Sequence, residues 1–240
     1  AEESSRRKSE CIQQISHEIR TPLNIITGFS QVITSSDMDL DADTKADINR
    51  QILENTDRIT QLVNKMLELS DANSQAVIER NDQVPAPQIA TEAVEASYIA
   101  NAPHLDFEMN VSAEAETVVL NTNCRLAVRA LTLILGNACK FTKAPEAHSR
   151  HDIPQEKQKA LLSIDVDDRM VRFVVEDTGI GIPAEEAEHI FEEFVQLNYY
   201  YDGTGIGLTV ARSLARRLGG DIVLDTSYQH GARFVMTLPL

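Results

Sequence analysis

Isoleucine returns every seven residues at the start of this chain, at Ile12, Ile19, Ile26 and Ile33, with Ile15, Pro22 and Phe29 as a second register between them. A seven-residue apolar repeat is the seam of packed helices and fits no strand, whose period is two. It predicts a helix over 2–35. The pattern resumes over 42–72, with Ile52, Ile59 and Met66 in one register and Ile48, Asn55, Leu62 and Leu69 in the other. The segment between, 36–41, is short and polar, so an antiparallel hairpin follows, with Asp41 placed to cap the second helix. Two helices alone bury little. Pairing two hairpins into a dimeric four-helix bundle closes such a seam.

Residues 73–87 hold Asn81, Asp82, Pro85 and Pro87 and read as a linker. Beyond it the periods mix. Helices are predicted at 88–100, 124–141 and 205–218, and strands at 106–111, 117–120, 161–167, 171–176, 222–225 and 232–238. This predicts an α/β sandwich with a mixed sheet over 88–240. Residues 144–160 are polar, fit neither period, and read as a loop.

A formal net charge of −15 argues against nucleic acid as a partner, since nothing offsets the repulsion from a phosphate backbone. The same charge disfavours a bare nucleotide unless a divalent cation accompanies it. Cys11, Cys124 and Cys139 are too widely spaced for a metal site and fit a reducing compartment. No apolar run reaches bilayer length, so no membrane contact is expected from this segment. The charged start, inside a helical pattern, predicts a cytoplasmic segment of a longer protein that a membrane segment elsewhere could anchor.

Ser16-His17-Glu18-Ile19-Arg20-Thr21-Pro22-Leu23 lies on the first helix. His17 follows Ile12 by five positions, which puts it outside the seam, and Thr21 is one turn further on the same side. Pro22 removes the hydrogen bond to the carbonyl of Glu18 and bends the axis there. Glu18 can accept a hydrogen bond from one ring nitrogen of His17 and leave the other as the attacking lone pair. This stretch resembles the phosphoacceptor box of the sensor histidine kinases of two-component signalling. The resemblance implies that His17 takes the γ-phosphoryl group of ATP and that Glu18 acts as base. It implies that Thr21 helps position water when the phosphorylated partner is hydrolysed, and that the hairpin dimerises.

Two glycine-rich stretches follow much later. Asp177-Thr178-Gly179-Ile180-Gly181-Ile182-Pro183 comes directly after a strand. Its glycines let the backbone turn tightly and approach a flat ligand, and Asp177 can accept a hydrogen bond from an adenine amino group. Gly203-Thr204-Gly205-Ile206-Gly207-Leu208 opens a helix, so its backbone N–H groups can meet phosphates. A dinucleotide fold is excluded because no strand precedes this second set, and no Walker A Gly-Lys-Ser/Thr is present.

These stretches extend the resemblance. Leu135 to Thr142 resembles the family's asparagine box, which implies Asn137 as the Mg²⁺ ligand, Lys140 facing the phosphates and Phe141 beside them. Asp177, Gly179 and Gly181 match the adenine-side box. Phe191 and Phe194 match the phenylalanine box. Gly203, Thr204, Gly205, Gly207 and Leu208 match the second glycine box. The implied fold is the Bergerat-type ATP-binding sandwich.

The implied organisation is a dimerisation and histidine phosphotransfer hairpin over 1–72, a linker over 73–87, and a catalytic ATP-binding domain over 88–240. The implied activity is ATP-dependent phosphorylation of His17, then transfer to an aspartate of a response-regulator receiver domain. An ATPase of the same nucleotide fold and a degenerate nucleotide-binding scaffold remain as alternatives. Two departures stand out. Leu133 occupies the position where relatives often carry a second asparagine. No Lys or Arg occurs over 184–202, so phosphate charge falls to Mg²⁺, Lys140, backbone amides and Arg212 or Lys143. A modest, Mg²⁺-dependent ATP affinity is the expectation.

Overall fold

The computed structural model describes residues 2–35, 40–72, 78–142, 158–192, 195 and 205–240. The side chains of Ile12 and Leu69, residues 36–39, and residues 143–157 with Lys143 lie outside the described residues, as do Phe194, Gly203 and Thr204. The chain divides into two compact units, Ala1–Asp71 and Ala72–Leu240.

The first unit is a pair of long helices, α1 (Glu2–Thr34) and α2 (Ala42–Ala72). The seven-residue repeat decides which positions are buried. Ile15 and Pro22 on α1, and Ile48, Asn55 and Leu62 on α2, are buried. Ile19, Ile26, Ile52, Ile59 and Met66, in the neighbouring register, are only half-buried. Asp41 caps α2 as its position predicts, its Oδ1 accepting from the Thr44 N–H at 2.7 Å. That hydrogen bond, the largest influence on the group, holds the Asp41 carboxyl below its ordinary pKa.

The second unit sets three helices, α3 (Ala86–Ser97), α4 (Cys124–Phe141) and α5 (Gly207–Arg217), with two sheets. A small antiparallel sheet joins β1 (Asp82–Pro85) to β3 (Val119–Thr122). The five-stranded sheet has the order β2-β4-β5-β7-β6, from β2 (Leu105–Val111), β4 (Gln158–Asp167), β5 (Met170–Asp177), β6 (Asp221–Leu224) and β7 (Arg233–Pro239). Only the β2–β4 pair within it is parallel. Alternation along the strands builds the core: Leu162 and Ile164 on β4, Val171, Phe173 and Val175 on β5, and Met236 and Leu238 on β7 are fully or almost fully buried. They share it with Ile89 of α3 and Leu131, Ile134 and Leu135 of α4.

The segment read as a linker contains ordered structure of this unit. Asp82–Pro85 is strand β1, and Ala86 and Pro87 begin α3. Pro85 and Pro87 sit where proline is tolerated, at a strand end and in a first helical turn, and Val84 and Ala86 are buried. Arg80 donates from Nη2 to the carbonyl of Arg217 (3.1 Å) at the end of α5. A guanidinium there complements the negative end of the helix dipole.

Candidate functional site

On the first unit, His17 and Thr21 are exposed and Glu18 is half-buried. The Thr21 hydroxyl donates to the carbonyl of His17 at 3.4 Å, one turn back along the same face. Pro22, next to it, is buried, so the residue that has no N–H to offer the Glu18 carbonyl faces inward while His17 is exposed. The arrangement gives an imidazole open to solvent on a turn lacking one hydrogen bond.

On the second unit, α4 is the spine of the candidate site. Asn123 caps it, its Oδ1 accepting from Leu126 N–H at 3.2 Å. Its alanine and leucine face enters the core, leaving Leu133, Asn137 and Lys140 half-buried along another side. Spacings of four and three put these side chains in one row. The ends of that row meet the two glycine stretches. At one end a Cβ on Gly207 would lie 3.9 Å from Leu133 Cδ2, so the start of α5 rests beside Leu133. At the other, a Cβ on Gly179 would lie 2.5 Å from the carbonyl oxygen of Phe141, too close for any side chain. Asn137 and Lys140 therefore stand between the two loops. Lys140 Nζ sits 4.7 Å from the centre of the Phe141 ring.

Asp177 ends β5 and is 4% exposed. Its Oδ1 accepts from the Gly179 N–H at 2.9 Å and the Ala232 N–H at 3.3 Å. Burial raises its pKa above the ordinary value, against the lowering effect of those two donors. Gly181 has φ +71°, which favours glycine, and a Cβ there would stand 3.2 Å from the Gly231 carbonyl oxygen. Thr178 fastens the loop to β4, its hydroxyl accepting from Lys159 N–H at 2.9 Å and donating to Gln158 Oε1 at 2.8 Å.

The helix α5 opens at Gly207, preceded by Gly205 with φ +65° and by Ile206 at the N-cap. An isoleucine has no side-chain acceptor, so the usual Ser or Asp cap is missing from the opening N–H groups. Leu208, also in the first turn, is half-buried.

Phe191 is placed for packing. It is 8% exposed, with its ring 6.3 Å from that of Phe234 in an edge-to-face arrangement. Arg212 lies over the same ring, Cζ 4.3 Å from its centre. Arg212 itself is not among the groups available to phosphates, contrary to the sequence expectation. It is 8% exposed, donating from Nη1 to Glu188 (2.6 Å) and from Nε to Asp221 (3.0 Å). Desolvation opposes its charge, yet those two carboxylates hold its pKa above the ordinary value. Thr209 makes a parallel tie, its hydroxyl donating to the Glu192 carbonyl at 3.0 Å. The turn between β6 and β7 is a wall that sequence reasoning missed. Its one signal was Gly231, placed just before a strand.

Asn137 is the described side chain suited to a divalent cation. Its amide oxygen is a hard donor, and no group of three or more His, Cys, Asp or Glu clusters among the described residues to form an all-protein metal site. A Mg²⁺ carried largely by nucleotide phosphates and water fits that donor set.

Both units match known protein families. Residues 7–75 match the His Kinase A (phospho-acceptor) domain. Residues 123–240 match the histidine kinase-, DNA gyrase B-, and HSP90-like ATPase family. The signal transduction histidine-protein kinase BarA of Escherichia coli (strain K12) is 29% identical over 98% of this chain and 25% of its own length. The sensor protein GacS of Pseudomonas syringae pv. syringae is 27% identical over 99% of this chain and 26% of its own. The chain thus spans about a quarter of these relatives. Full-length ShkA, solved in complex with AMPPNP, is 27% identical with a TM-score of 0.64, over 96% of this chain and 45% of that one. Histidine kinase ThkA, solved with the response regulator protein TrrA, has the same fold at a TM-score of 0.71 and 21% identity, over 99% of this chain and 65% of that one. No helix among the described residues is long and apolar enough to cross a membrane. With a His Kinase A (phospho-acceptor) match over residues 7–75 followed by a histidine kinase-type ATPase match over 123–240, which together cover most of its length, the chain belongs to the sensor histidine kinases.

Proposed function

We propose that this chain transfers the γ-phosphoryl group of ATP to His17 and passes it on to an aspartate of a response-regulator receiver domain. In the first step a ring nitrogen of His17 attacks the γ-phosphorus, the bond to the β,γ-bridging oxygen breaks, and ADP leaves. Glu18 accepts the hydrogen bond of the other ring nitrogen and stabilises the cationic ring. The domains are assigned as a dimerisation and phosphoacceptor hairpin over 1–72 and an ATP-binding domain that includes β1 and so runs over 82–240 rather than 88–240. Asp177 recognises the amino group of adenine. Gly179 and Gly181 admit the base, and the opening amides of α5 with Lys140 meet the phosphates. Phe191 anchors the segment leading to Phe194, and Gly203, Thr204 and Gly205 complete the phosphate loop. Mg²⁺, held by Asn137, phosphate oxygens and water, would neutralise charge on the transferring group.

One observation carries this reading: an exposed histidine, His17, beside a half-buried acid, Glu18, on a helix whose seam residues Ile15 and Pro22 are buried. An ATPase of the same fold has no use for that pair. The half-buried register of Ile19, Ile26, Ile52, Ile59 and Met66 supports a homodimer, since a second hairpin would cover it. The relatives' greater length supports placement inside a larger sensor, with this segment cytoplasmic.

Incubation with γ-labelled ATP, with and without Mg²⁺, tests the reaction. The expected label is acid-labile, base-stable, Mg²⁺-dependent and lost in His17→Gln. Steady phosphate release that ignores His17 would instead favour the ATPase.

A further inference from the structure

Arg233 has no assigned role in ATP binding, yet its contacts lead directly to Asp177. Its Nε donates to Glu176 Oε1 at 2.5 Å and its Nη1 to Asp225 Oδ2 at 3.0 Å. Its Cζ lies 4.4 Å from the centre of the Tyr228 ring. Glu176 is the residue before Asp177 on β5 and stands opposite Arg233 in the ladder. Asp225 begins the turn between β6 and β7. Its N–H donates to the carbonyl of Arg233 at 2.8 Å, and its Oδ1 accepts from the N–H (3.0 Å) and hydroxyl (2.6 Å) of Ser227. One guanidinium therefore fastens the start of the turn, its middle and the neighbouring strand.

What that turn delivers is Gly231 and Ala232. Gly231 has φ +153°, and a Cβ there would collide with the carbonyl of Asp177. The Asp177 N–H donates to the Ala232 carbonyl at 2.9 Å, and the Ala232 N–H donates to Asp177 Oδ1 at 3.3 Å. Among the described residues, Oδ1 carries both hydrogen bonds of this carboxylate, one from each flanking loop. Two donors on one oxygen fix its rotation and reserve Oδ2 for a ligand.

We propose that Arg233 is a positioning residue for base recognition: by clamping the β6–β7 turn to β5 it keeps the Ala232 N–H on Asp177 Oδ1, so that Oδ2 stays in place for the amino group of the base. This rests on Asp177 recognising that amino group. Arg233 touches no substrate in this scheme and acts through Ala232.

The test compares ATP with inosine triphosphate, which lacks the amino group, by equilibrium binding to the whole chain. Wild type is expected to prefer ATP. In Arg233→Gln the ATP affinity falls about five-fold, the scale of one hydrogen bond, while inosine triphosphate affinity stays put and the preference shrinks. Asp225→Asn removes the same clamp from its other side and gives the same shift, and Arg233→Lys restores part of it. Arg172→Gln is the control. It removes pairs with Asp165 (3.5 Å) and Asp167 (3.7 Å) on the same sheet and leaves the preference unchanged. Equal loss for both nucleotides, or no change in either Arg233→Gln or Asp225→Asn, overturns the proposal. Absence of any ATP preference in wild type would instead overturn the assignment of Asp177.

Discussion

Asp177 shows how a single residue can oppose the stability of its own fold. Burial raises its pKa, so its ionised form is disfavoured in the folded state. Its stabilising contribution is present below the unfolded carboxyl pKa and is lost as pH rises through the raised folded value. Asp177→Asn is neutral throughout and can still accept from Gly179 and Ala232. It should unfold at an equal or higher temperature than wild type at pH 7, with a flatter stability–pH curve. Its ATP affinity should fall by roughly ten- to a hundred-fold, the worth of a hydrogen bond to a charged group. Scanning calorimetry and nucleotide titration read the two effects. Asp225 is the opposite case. Hydrogen bonds from Ser227, then Arg233, hold its carboxyl down to about 2. Its contribution is present above the ordinary carboxylate range and is lost only as pH falls toward that value, so the Arg233 clamp persists across any working pH. The position of Asp177 was legible in the sequence, because an acid closing an apolar strand before Gly-x-Gly stands out, and the structure buries it at the end of β5. Arg212 was not, because its partners Asp221 and Glu188 lie 9 and 24 residues away.

The elements differ in how strongly the sequence announces them. α1, α2 and α4 are long enough for their periods to repeat, and their predicted spans agree closely with Glu2–Thr34, Ala42–Ala72 and Cys124–Phe141. β1 buries one residue of four, so it has no period to read. Asn55 is the outlier within the seam. It is 9% exposed, and its Nδ2 donates back to the Gln51 carbonyl at 2.8 Å. A polar residue at a seam position costs stability and selects register and oligomeric state. Asn55→Leu should therefore raise the hairpin's unfolding free energy by about 1–2 kcal/mol. It should also broaden the oligomer distribution seen by sedimentation velocity. A sharper single dimer with no gain in stability would contradict that role.

At the scale of the whole molecule, the division into Ala1–Asp71 and Ala72–Leu240 predicts two thermal transitions. ATP at a hundred times its dissociation constant should stabilise one by about 2.7 kcal/mol and leave the other in place. The unresponsive transition should rise with protein concentration, as a dimer's does, and calorimetry at two concentrations separates the cases. Within the second unit, the sequence revealed strands and helices but not the parallel pair, because parallel and antiparallel partners carry the same alternation. That pair also sets an order of assembly. The antiparallel pairs β4–β5 and β6–β7 close over short stretches of chain, whereas Leu105 of β2 must wait for Gln158. The chain between them includes α4, the helix that bears Asn137 and Lys140. Long loops delay closure, so β2 should pair after these two hairpins. His104, just before β2, donates from Nε2 to the carbonyl of Cys139 at 3.0 Å. The β2 edge thus brings a contact that ties down the end of α4, so a nascent chain should complete this side of the candidate site only once β4 has been made and has paired with β2.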